Sequence, residues 1–272
     1  MTDPRPTSAF DPANADPAVT GRLVGVLDQL AASPGVRRLR AWAHERLAVA
    51  AGERTLDVGS GTGSETQVLA AAVGPGGTAI GLEPHPGLRA VAGQRAAEAG
   101  SRARFLDGDA LALPLPDADL DAVRCERVLQ HLTDPALAVT EMARVLRPGG
   151  RAVLLDTDWA TFLIHPASPA VRSALATVVQ DAAATPDAGR SLAGWLADAG
   201  LTVDGVASEV LLHDPRSVTW PLVRGIGVEA VARGLLTEAQ CDDLYGELTA
   251  AAERGTFHLS VTMFAAAAHR PR

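Results

Sequence analysis

Between residues 53 and 156 the chain alternates short apolar runs with longer segments in which apolar residues recur at helical spacing. The short runs predict buried β-strands, and the longer segments predict the helices that connect them. Strands separated by helices in this way are typical of a parallel sheet with helical crossovers. The predicted strands are residues 55–58, 78–83, 103–107, 120–125 and 152–156, and the predicted helices between them are 64–73, 86–99 and 135–146.

The segments on either side of this region are mainly helical in pattern. Apolar positions at helical spacing predict two helices between residues 20 and 51, separated at Pro34-Gly35. Residues 1–18 contain several prolines and acidic residues without periodicity, which predicts a flexible tail. Further along, the pattern predicts helices over 168–184, 191–199, 218–236 and 237–254, an extended stretch over 201–212 and a final strand over 256–265.

These patterns together predict one domain over residues 19–272. A chain of 272 residues is near the upper limit for a single hydrophobic core. The core of the domain is expected over 53–156. The helical segments at about 19–50, 157–200 and 213–254 are expected to cover the sheet and to shape a binding site.

Composition narrows the chemistry that this domain can perform. All 24 basic residues are arginine, which excludes mechanisms that depend on a lysine Schiff base or a P-loop lysine. Against 32 acidic residues they leave a formal net charge of -8, the wrong sign for a surface that binds nucleic-acid phosphates. A small-molecule partner is therefore favoured. The two cysteines cannot form a disulfide framework, and no apolar run suits a signal peptide or a membrane span, so a cytoplasmic location is expected.

A glycine-rich turn, LDVGSGTG at residues 56–63, joins the first predicted strand to a helix. Its glycines are Gly59, Gly61 and Gly63, and glycine lets backbone N–H groups approach an anionic ligand closely at a helix N-terminus. A tight turn that binds no ligand is the alternative. The dinucleotide pattern G-x-G-x-x-G fits poorly, because the third glycine position after Gly59 holds Ser64.

Acidic residues follow the next two predicted strands. Glu83 ends the second strand, where a carboxylate can accept both hydroxyls of a ribose. Asp109 and Ala110 follow the third strand, where an acidic side chain and a backbone N–H can bind the amino group and a ring nitrogen of adenine. The alternatives are an exposed acid at a strand end and an ordinary polar loop.

In their order along the chain, these motifs resemble the class I S-adenosylmethionine-dependent methyltransferases, and within them the branch that acts on small molecules and quinones. The resemblance covers residues 53–156. It implies an α/β fold with a Rossmann-like, doubly wound sheet of seven strands. That sheet would be mostly parallel, with the last strand, 256–265, antiparallel, and the cofactor would lie across the carboxyl ends of the strands.

The cofactor that this resemblance implies is S-adenosylmethionine. Carried over by position, the glycine turn and Asp57 before it would lie along the methionyl part, and Glu83 would hold the ribose. Asp109 and Ala110 would hold the adenine, with Pro84 in apolar contact with it.

The residues after the fourth predicted strand bear on the choice of substrate. Glu126 would face the methionine end of the cofactor, where a carboxylate suits a cationic amine and sulfonium. The run Cys125-Glu126-Arg127-Val128 stands where methyltransferases of base amino groups carry Asn/Asp-Pro-Pro-aromatic, so a nucleic-acid target is disfavoured. No metal site is expected, because the Asn ligand of metal-dependent catechol enzymes is missing and the only asparagine is Asn14.

The predicted function is transfer of a methyl group from S-adenosylmethionine to an oxygen, nitrogen or carbon of a small acceptor, with secondary metabolism as one setting. Proton removal would use His131 or Asp156, at the ends of the fourth and fifth strands. Histidine has a pKa suited to general-base work near neutrality, while the alternative is that His131 only anchors the following helix. Candidate walls of an acceptor pocket, each equally compatible with an ordinary core position, are Trp159, Phe162, Trp220 and Tyr245.

Two other functions are compatible with the fold. One is a protein or enzyme that binds S-adenosylmethionine without donating its methyl group. The other is an NAD-dependent oxidoreductase, which is disfavoured because short-chain dehydrogenases need a Tyr–Lys pair and this chain has no lysine.

Overall fold

A computed structural model describes the backbone of residues 16–214 and 219–272, with side chains for all of these except 219–221. The strands are β1 (Arg54–Val58), β2 (Thr78–Leu82), β3 (Arg104–Leu106), β4 (Leu120–Glu126), β5 (Leu146–His165), β6 (Thr202–Leu212) and β7 (His258–His269). Within this described part, the seven strands form one sheet in the order β3-β2-β1-β4-β5-β7-β6.

The predicted fold is confirmed by the pairing of these strands. Strands β1 to β5 pair in parallel, and β7 runs antiparallel to both β5 and β6. The strand order reverses between β1 and β4, since β2 and β3 lie on one side of β1 and the later strands lie on the other. In open α/β sheets, ligands bind beyond the carboxyl ends of the strands at such a reversal.

Nine helices of the described chain surround this sheet. They are α1 (Pro17–Ala32), α2 (Pro34–Leu47), α3 (Ser64–Val73), α4 (Pro86–Glu98), α5 (Pro135–Val145), α6 (Pro169–Asp181), α7 (Ala188–Asp198), α8 (Thr219–Ala232) and α9 (Glu238–Glu253). Several begin with proline after a capping residue, as α5 does after Asp134. The capping box predicted for Thr237 and Gln240 is present at the start of α9.

The N-terminal boundary differs slightly from the prediction. Helix α1 begins at Pro17, because the Asp16 carboxylate accepts hydrogen bonds from the backbone N–H groups of Ala18 and Val19. The rest of the predicted tail, residues 1–15, lies outside the described residues.

Strand β5 is much longer than the predicted 152–156. It extends to His165 because β7 offers backbone partners over the same length, with pairs such as Thr157–Met263 and Leu163–Ser260 on either side of a register shift. This extension places Trp159 and Phe162 on the sheet, where the sequence pattern predicts a variable segment.

Four apolar clusters of described residues hold the layers together, and the smallest packs Leu69 and Val73 of α3 on Ala79 of β2. The first lies between the sheet and α5 and α7, and the second packs α2 against the opposite face of β5 and β7. The third, which we call the cap cluster, joins α6, α8 and α9 to the far ends of β5 and β7 through residues such as Leu175, Leu244 and Leu259. Two free cysteines are buried in separate clusters, Cys125 in the first and Cys241 in the cap cluster. None of the described helices combines the length and apolarity needed to cross a bilayer.

Candidate functional site

The glycine turn forms the rim of a cavity at the carboxyl end of β1. Gly59, Gly61 and Gly63 all have positive φ angles, of 68°, 53° and 77°, a conformation that glycine adopts without steric cost. The backbone N–H groups of Gly59 and Ser60 both donate to the Leu82 carbonyl oxygen at the end of β2, at 2.8 and 3.0 Å. These bonds hold the turn close to the neighbouring strand.

Two of these glycines are also required by packing. A Cβ on Gly59 would lie 2.2 Å from Val128 Cγ2, and one on Gly63 would lie 2.6 Å from Phe105 Cζ. At Gly61 a Cβ would lie 3.2 Å from Leu27 Cδ1 of α1. The glycines therefore allow three other parts of the chain to approach the turn.

The cavity has a volume of about 1050 Å³ and lies at the point where the strand order reverses. A volume of this size is at the upper end for single-ligand sites, so it has room for a nucleoside cofactor and a small second molecule. Most of the sequence-predicted cofactor residues meet there. They are Asp57, Gly59, Gly61, Glu83, Pro84, Asp109 and Glu126, together with His131.

Gly63 and Ala110 do not line the cavity within the described residues. Gly63 precedes α3 and faces Phe105 and Ala92, while Ala110 is buried in the first apolar cluster. Both residues pack behind the residues that line the cavity.

Glu83 is a buried carboxylate at the cavity, so the alternative of an exposed strand-end acid is wrong. Only 6% of the residue is exposed. Its Oε2 accepts from the Gly61 N–H at 2.8 Å and its Oε1 accepts from the His85 N–H at 2.9 Å. Burial raises the pKa of Glu83, against the effect of these two hydrogen bonds. The carboxylate thus ties the glycine turn to the end of β2 and keeps lone pairs for a ligand.

Asp109 is an exposed residue that also lines the cavity. Its Oδ1 accepts from the Leu111 N–H at 2.9 Å, which shapes the loop after β3. Arg89 of α4 lies nearby and donates to Asp107 Oδ1 at 3.1 Å and to the Glu83 carbonyl oxygen at 2.6 Å. Arg89 was not predicted to belong to the site, because an arginine on a helix surface has no distinguishing sequence pattern.

An ion cluster contributes to the wall of the same cavity, and we define it as Asp57, Glu65, Glu126, Arg40, Arg124 and His44. Arg124 donates to Asp57 Oδ1 at 2.8 Å and also pairs with Glu126. Arg40 of α2 donates to Glu126 Oε1 at 2.7 Å and to Glu65 Oε1 at 3.1 Å. Counted without the imidazole of His44, the three carboxylates and two guanidinium groups of the ion cluster have a formal charge of -1.

The ion cluster changes the interpretation of Glu126. The sequence predicts a carboxylate that faces the cationic end of the cofactor directly, whereas the structure binds Glu126 to two arginines. The negative charge available to a ligand is therefore that of the whole cluster. Arg124 could have been noticed as a charged residue in a buried strand, but nothing in the sequence links Arg40 to it.

Glu65 is held as an anion by its basic neighbours in the ion cluster. Burial would raise the pKa of Glu65, but Arg124, His44 and Arg40 outweigh that effect and lower it to about 2. His44 Nε2 lies 2.9 Å from Glu65 Oε2. Glu65 is therefore ionised throughout the physiological pH range.

His131 and Asp156 occupy different environments. His131 lines the cavity at the end of a short 3₁₀ turn, Leu129–His131, and burial together with the charge of Arg127 lowers the pKa of His131 to about 4. Asp156 is fully buried in β5 and lies behind the turn. Its Oδ2 accepts from the Gln130 N–H at 3.2 Å and its Oδ1 accepts from the Thr157 N–H at 2.8 Å. Burial raises the pKa of Asp156 to about 7.

The candidate acceptor walls lie elsewhere. Trp159 donates from Nε1 to Gln130 Oε1 at 2.6 Å and packs on the second apolar cluster, while Phe162 and Tyr245 pack in the cap cluster. These three side chains do not line the described cavity. The side chain of Trp220 lies outside the described residues. Instead, the apolar part of the cavity wall consists of Leu27, Leu30, Val128, Leu132 and Leu88.

Within residues 16–214 and 219–272, no three His, Cys, Asp or Glu side chains are grouped as they would be around a metal ion. The cavity is instead formed by backbone donors, carboxylates and arginines.

Residues 56–154 of this chain match the family model of the methyltransferase domain. Among curated proteins it is 37% identical, over 67% of this chain and 53% of the relative, to an uncharacterized 37.1 kDa protein in transposon TN4556 of Streptomyces fradiae. It is 39% identical, over 38% of this chain and 47% of the relative, to the demethylmenaquinone methyltransferase of Thermus thermophilus.

The chain thus spans about half the length of the curated relatives it matches. Among solved structures, a SAM-dependent methyltransferase from Aquifex aeolicus superimposes with a TM-score of 0.51 at 20% identity, over 74% of this chain and 93% of that one. At that identity the similarity supports the fold alone.

Proposed function

We propose that this protein transfers the methyl group of S-adenosylmethionine to an oxygen, nitrogen or carbon of a small organic acceptor. The observation that carries the proposal is the buried Glu83 carboxylate, which faces the cavity beside the glycine turn. The match to the methyltransferase domain supports the same cofactor. The name of the Thermus thermophilus relative favours a flat, quinone-type acceptor as the first compound to test.

The residues of the cavity fit this cofactor in charge and in shape. Gly59 and Gly61 bring the backbone close to the cavity, where a Cβ would meet Val128 or Leu27. Glu83 would accept hydrogen bonds from the ribose hydroxyls, and the net negative ion cluster would stabilise the cationic methionyl end. Pro84 and Asp109 would lie at the adenine.

When bound, S-adenosylmethionine supplies an electrophilic methyl group on a sulfonium. The bond from the methyl carbon to sulfur breaks as the bond to the acceptor forms, and the electron pair stays on sulfur. The chain's main contribution is to hold the acceptor in line with that bond, which can supply on the order of 7–11 kcal/mol of the barrier.

His131 is the group placed to take a proton from the acceptor. It lines the cavity, and with a pKa of about 4 it is neutral near pH 7 and able to accept a proton. Asp156 acts on it indirectly, since it holds the Gln130 N–H of the same turn. We therefore assign Asp156 a positioning role and His131 the role of general base.

Titration calorimetry with Glu83→Gln tests the proposal. The amide keeps the size of the side chain but removes its charge and places an N–H₂ against a backbone donor. We expect the affinity for S-adenosylmethionine to fall by about 1–3 kcal/mol, the usual loss for a hydrogen bond to a charged group. Glu253→Gln, on the exposed end of α9, is the matched control and should bind normally.

Unchanged titration curves for Glu83→Gln would contradict the cofactor placement. Formation of S-adenosylhomocysteine in the presence of 1,4-naphthohydroquinone then tests transfer itself. Cofactor binding without any product from a panel of hydroxyl, amine and activated-carbon acceptors would favour a protein that binds S-adenosylmethionine without donating its methyl group.

A further inference from the structure

Four arginines line the cavity within the described residues, and Arg127 differs from the other three. Arg40 donates to Glu126 at 2.7 Å, Arg89 to Asp107 at 3.1 Å and Arg124 to Asp57 at 2.8 Å. No ion pair or side-chain hydrogen bond joins Arg127 to any described residue. The acidic residues that influence it, Asp156 and Glu126, act on it only through space.

Both of those carboxylates are already bound elsewhere. Glu126 accepts from Arg40 and Arg124, and Asp156 accepts from two backbone N–H groups. Arg127 is partly exposed at the cavity wall, and its guanidinium has no acceptor among the described residues. Its donors therefore remain available to a ligand.

The backbone holds Arg127 firmly at this position. It follows β4 directly, has a φ of 59°, and its N–H donates to the Leu155 carbonyl oxygen at 2.8 Å. A non-glycine residue in the left-handed region is strained, and such residues persist where the surrounding structure fixes them, often at functional sites. The strain places a cation at the cavity wall, at the start of the turn that carries His131.

The surroundings of Arg127 suit the anionic end of an organic molecule. Its guanidinium offers paired N–H donors that match the oxygens of a carboxylate or a phosphate. Val128 and Leu132 provide apolar contact on the same side, and His131 provides a neutral ring. The charge of Arg127 contributes to the low pKa of both His131 and His213, so these rings do not compete with it as cations.

We propose that the methyl acceptor carries an anionic oxygen group, a carboxylate or a phosphate, and that Arg127 binds that group and so orients the acceptor beside His131. This inference rests on the proposed methyl transfer, and it narrows the acceptor from any small molecule to an organic anion with an apolar body. Arg127 is thereby a specificity-determining residue.

The test uses the full chain saturated with S-adenosylhomocysteine and three probes of similar size, titrated by calorimetry: benzoate, phenyl phosphate and benzamide. We expect at least one of the two anions to bind wild-type protein about tenfold or more tightly than neutral benzamide, as a charged hydrogen-bonded pair requires. The anion that binds more tightly identifies the anionic group of the acceptor as a carboxylate or a phosphate.

Three variants assign that preference to Arg127. Arg127→Met should abolish the preference for anions, and Arg127→Lys should keep part of it because the charge remains. Arg233→Met, at an exposed arginine just after α8 that pairs with Asp181 of α6, should keep all of it. Each variant must first bind S-adenosylhomocysteine with wild-type affinity, which shows that it is folded.

The outcomes separate this inference from the proposed function. Failure of wild-type protein to bind S-adenosylhomocysteine would contradict the proposed function. Normal cofactor binding with equal affinity for benzamide and both anions, or with no anion binding up to about 10 mM, a free energy near -2.7 kcal/mol, would overturn the role of Arg127 alone. Retention of the anion preference in Arg127→Met would overturn it as well.

Discussion

Alanine substitutions at two glycines with positive φ distinguish the free-energy cost of backbone strain from that of a steric clash. Gly59 has a φ of 68° and a Cβ there would lie 2.2 Å from Val128 Cγ2, whereas Gly52 has a φ of 87° and open space around it. We expect Gly52→Ala to lower the free energy of unfolding by about 1 kcal/mol and Gly59→Ala by about 2–4 kcal/mol, measured by urea denaturation.

The same pair of variants includes its own control. Val128→Ala in the Gly59→Ala background should recover part of the loss, because it removes the atom that the new Cβ meets. Equal losses of unfolding free energy in the two variants would show that Val128 moves aside at no cost. The tight packing of the turn would then contribute nothing measurable to stability.

The pH dependence of the rate distinguishes His131 from Asp156 as the proton acceptor. A general base must be deprotonated, so the rate falls as the pH drops through its pKa. With the pKa of His131 at about 4 and that of Asp156 at about 7, kcat should stay level from pH 8 to below 6 and decline near pH 4. Each assay exposes the protein to its pH only briefly, so that acid unfolding does not contribute to the measured rate.

His131→Ala should lower kcat by about 10²–10⁴ and leave cofactor affinity unchanged. A decline of the wild-type rate centred near pH 7 would assign the titrating group to Asp156 instead. Normal kcat in His131→Ala would remove the imidazole from the mechanism.

At the scale of elements, the ion cluster ties the N-terminal helices to the sheet. It joins Arg40 and His44 of α2 to Glu65 of α3, Asp57 of β1 and Arg124 of β4. These ion pairs add polar contacts at the cavity to the apolar packing of α2 on the sheet.

The low pKa of Glu65 makes this connection sensitive to acid. The folded-state pKa of about 2 lies below the ordinary 4.5, so the stabilisation is complete above about pH 4.5 and is lost as the pH falls from there towards 2. The difference corresponds to about 3 kcal/mol. Urea titrations between pH 7 and pH 3 should show a steeper loss in wild-type protein than in Glu65→Gln.

Glu98→Gln is the matched control, since Glu98 is an exposed carboxylate at the end of α4. Its pH dependence should match that of the wild type. Parallel slopes for wild type and Glu65→Gln would mean that Glu65 contributes nothing to acid stability.

The length of β5 shows which element boundaries the local sequence leaves open. The prediction for this strand ends at Asp156, where the compact apolar run ends, but the strand continues to His165. The continuation depends on pairing with β7, which lies about a hundred positions further along the chain. Long-range pairing leaves little trace in local periodicity, and for that reason Trp159 was predicted to be in a variable segment.

For the molecule as a whole, the sequence predicts the sheet and the part of the cavity lined by Glu83 and Asp109, because both depend on short segments read in order. Glu83 and Asp109 follow strands whose apolar runs are distinct, and parallel strands bring their carboxyl ends to one edge. The ion pairs of Arg40 and the unpaired state of Arg127 were not predictable in this way. Both depend on which side chains meet across α2, β4 and the following turn, and these contacts cannot be inferred from the spacing of residues in the sequence.

Because the two cysteines are buried in separate clusters, their reactivity can be used to measure local opening of each cluster. Cys125 of β4 is 1% exposed and Cys241 in the cap cluster is 5% exposed, and burial raises the pKa of both thiols. Because only an accessible thiolate reacts with an alkylating reagent, each cysteine reacts only when its own cluster opens. Peptide-resolved alkylation rates therefore measure the opening of the cap cluster separately from unfolding of the sheet, without any engineered label.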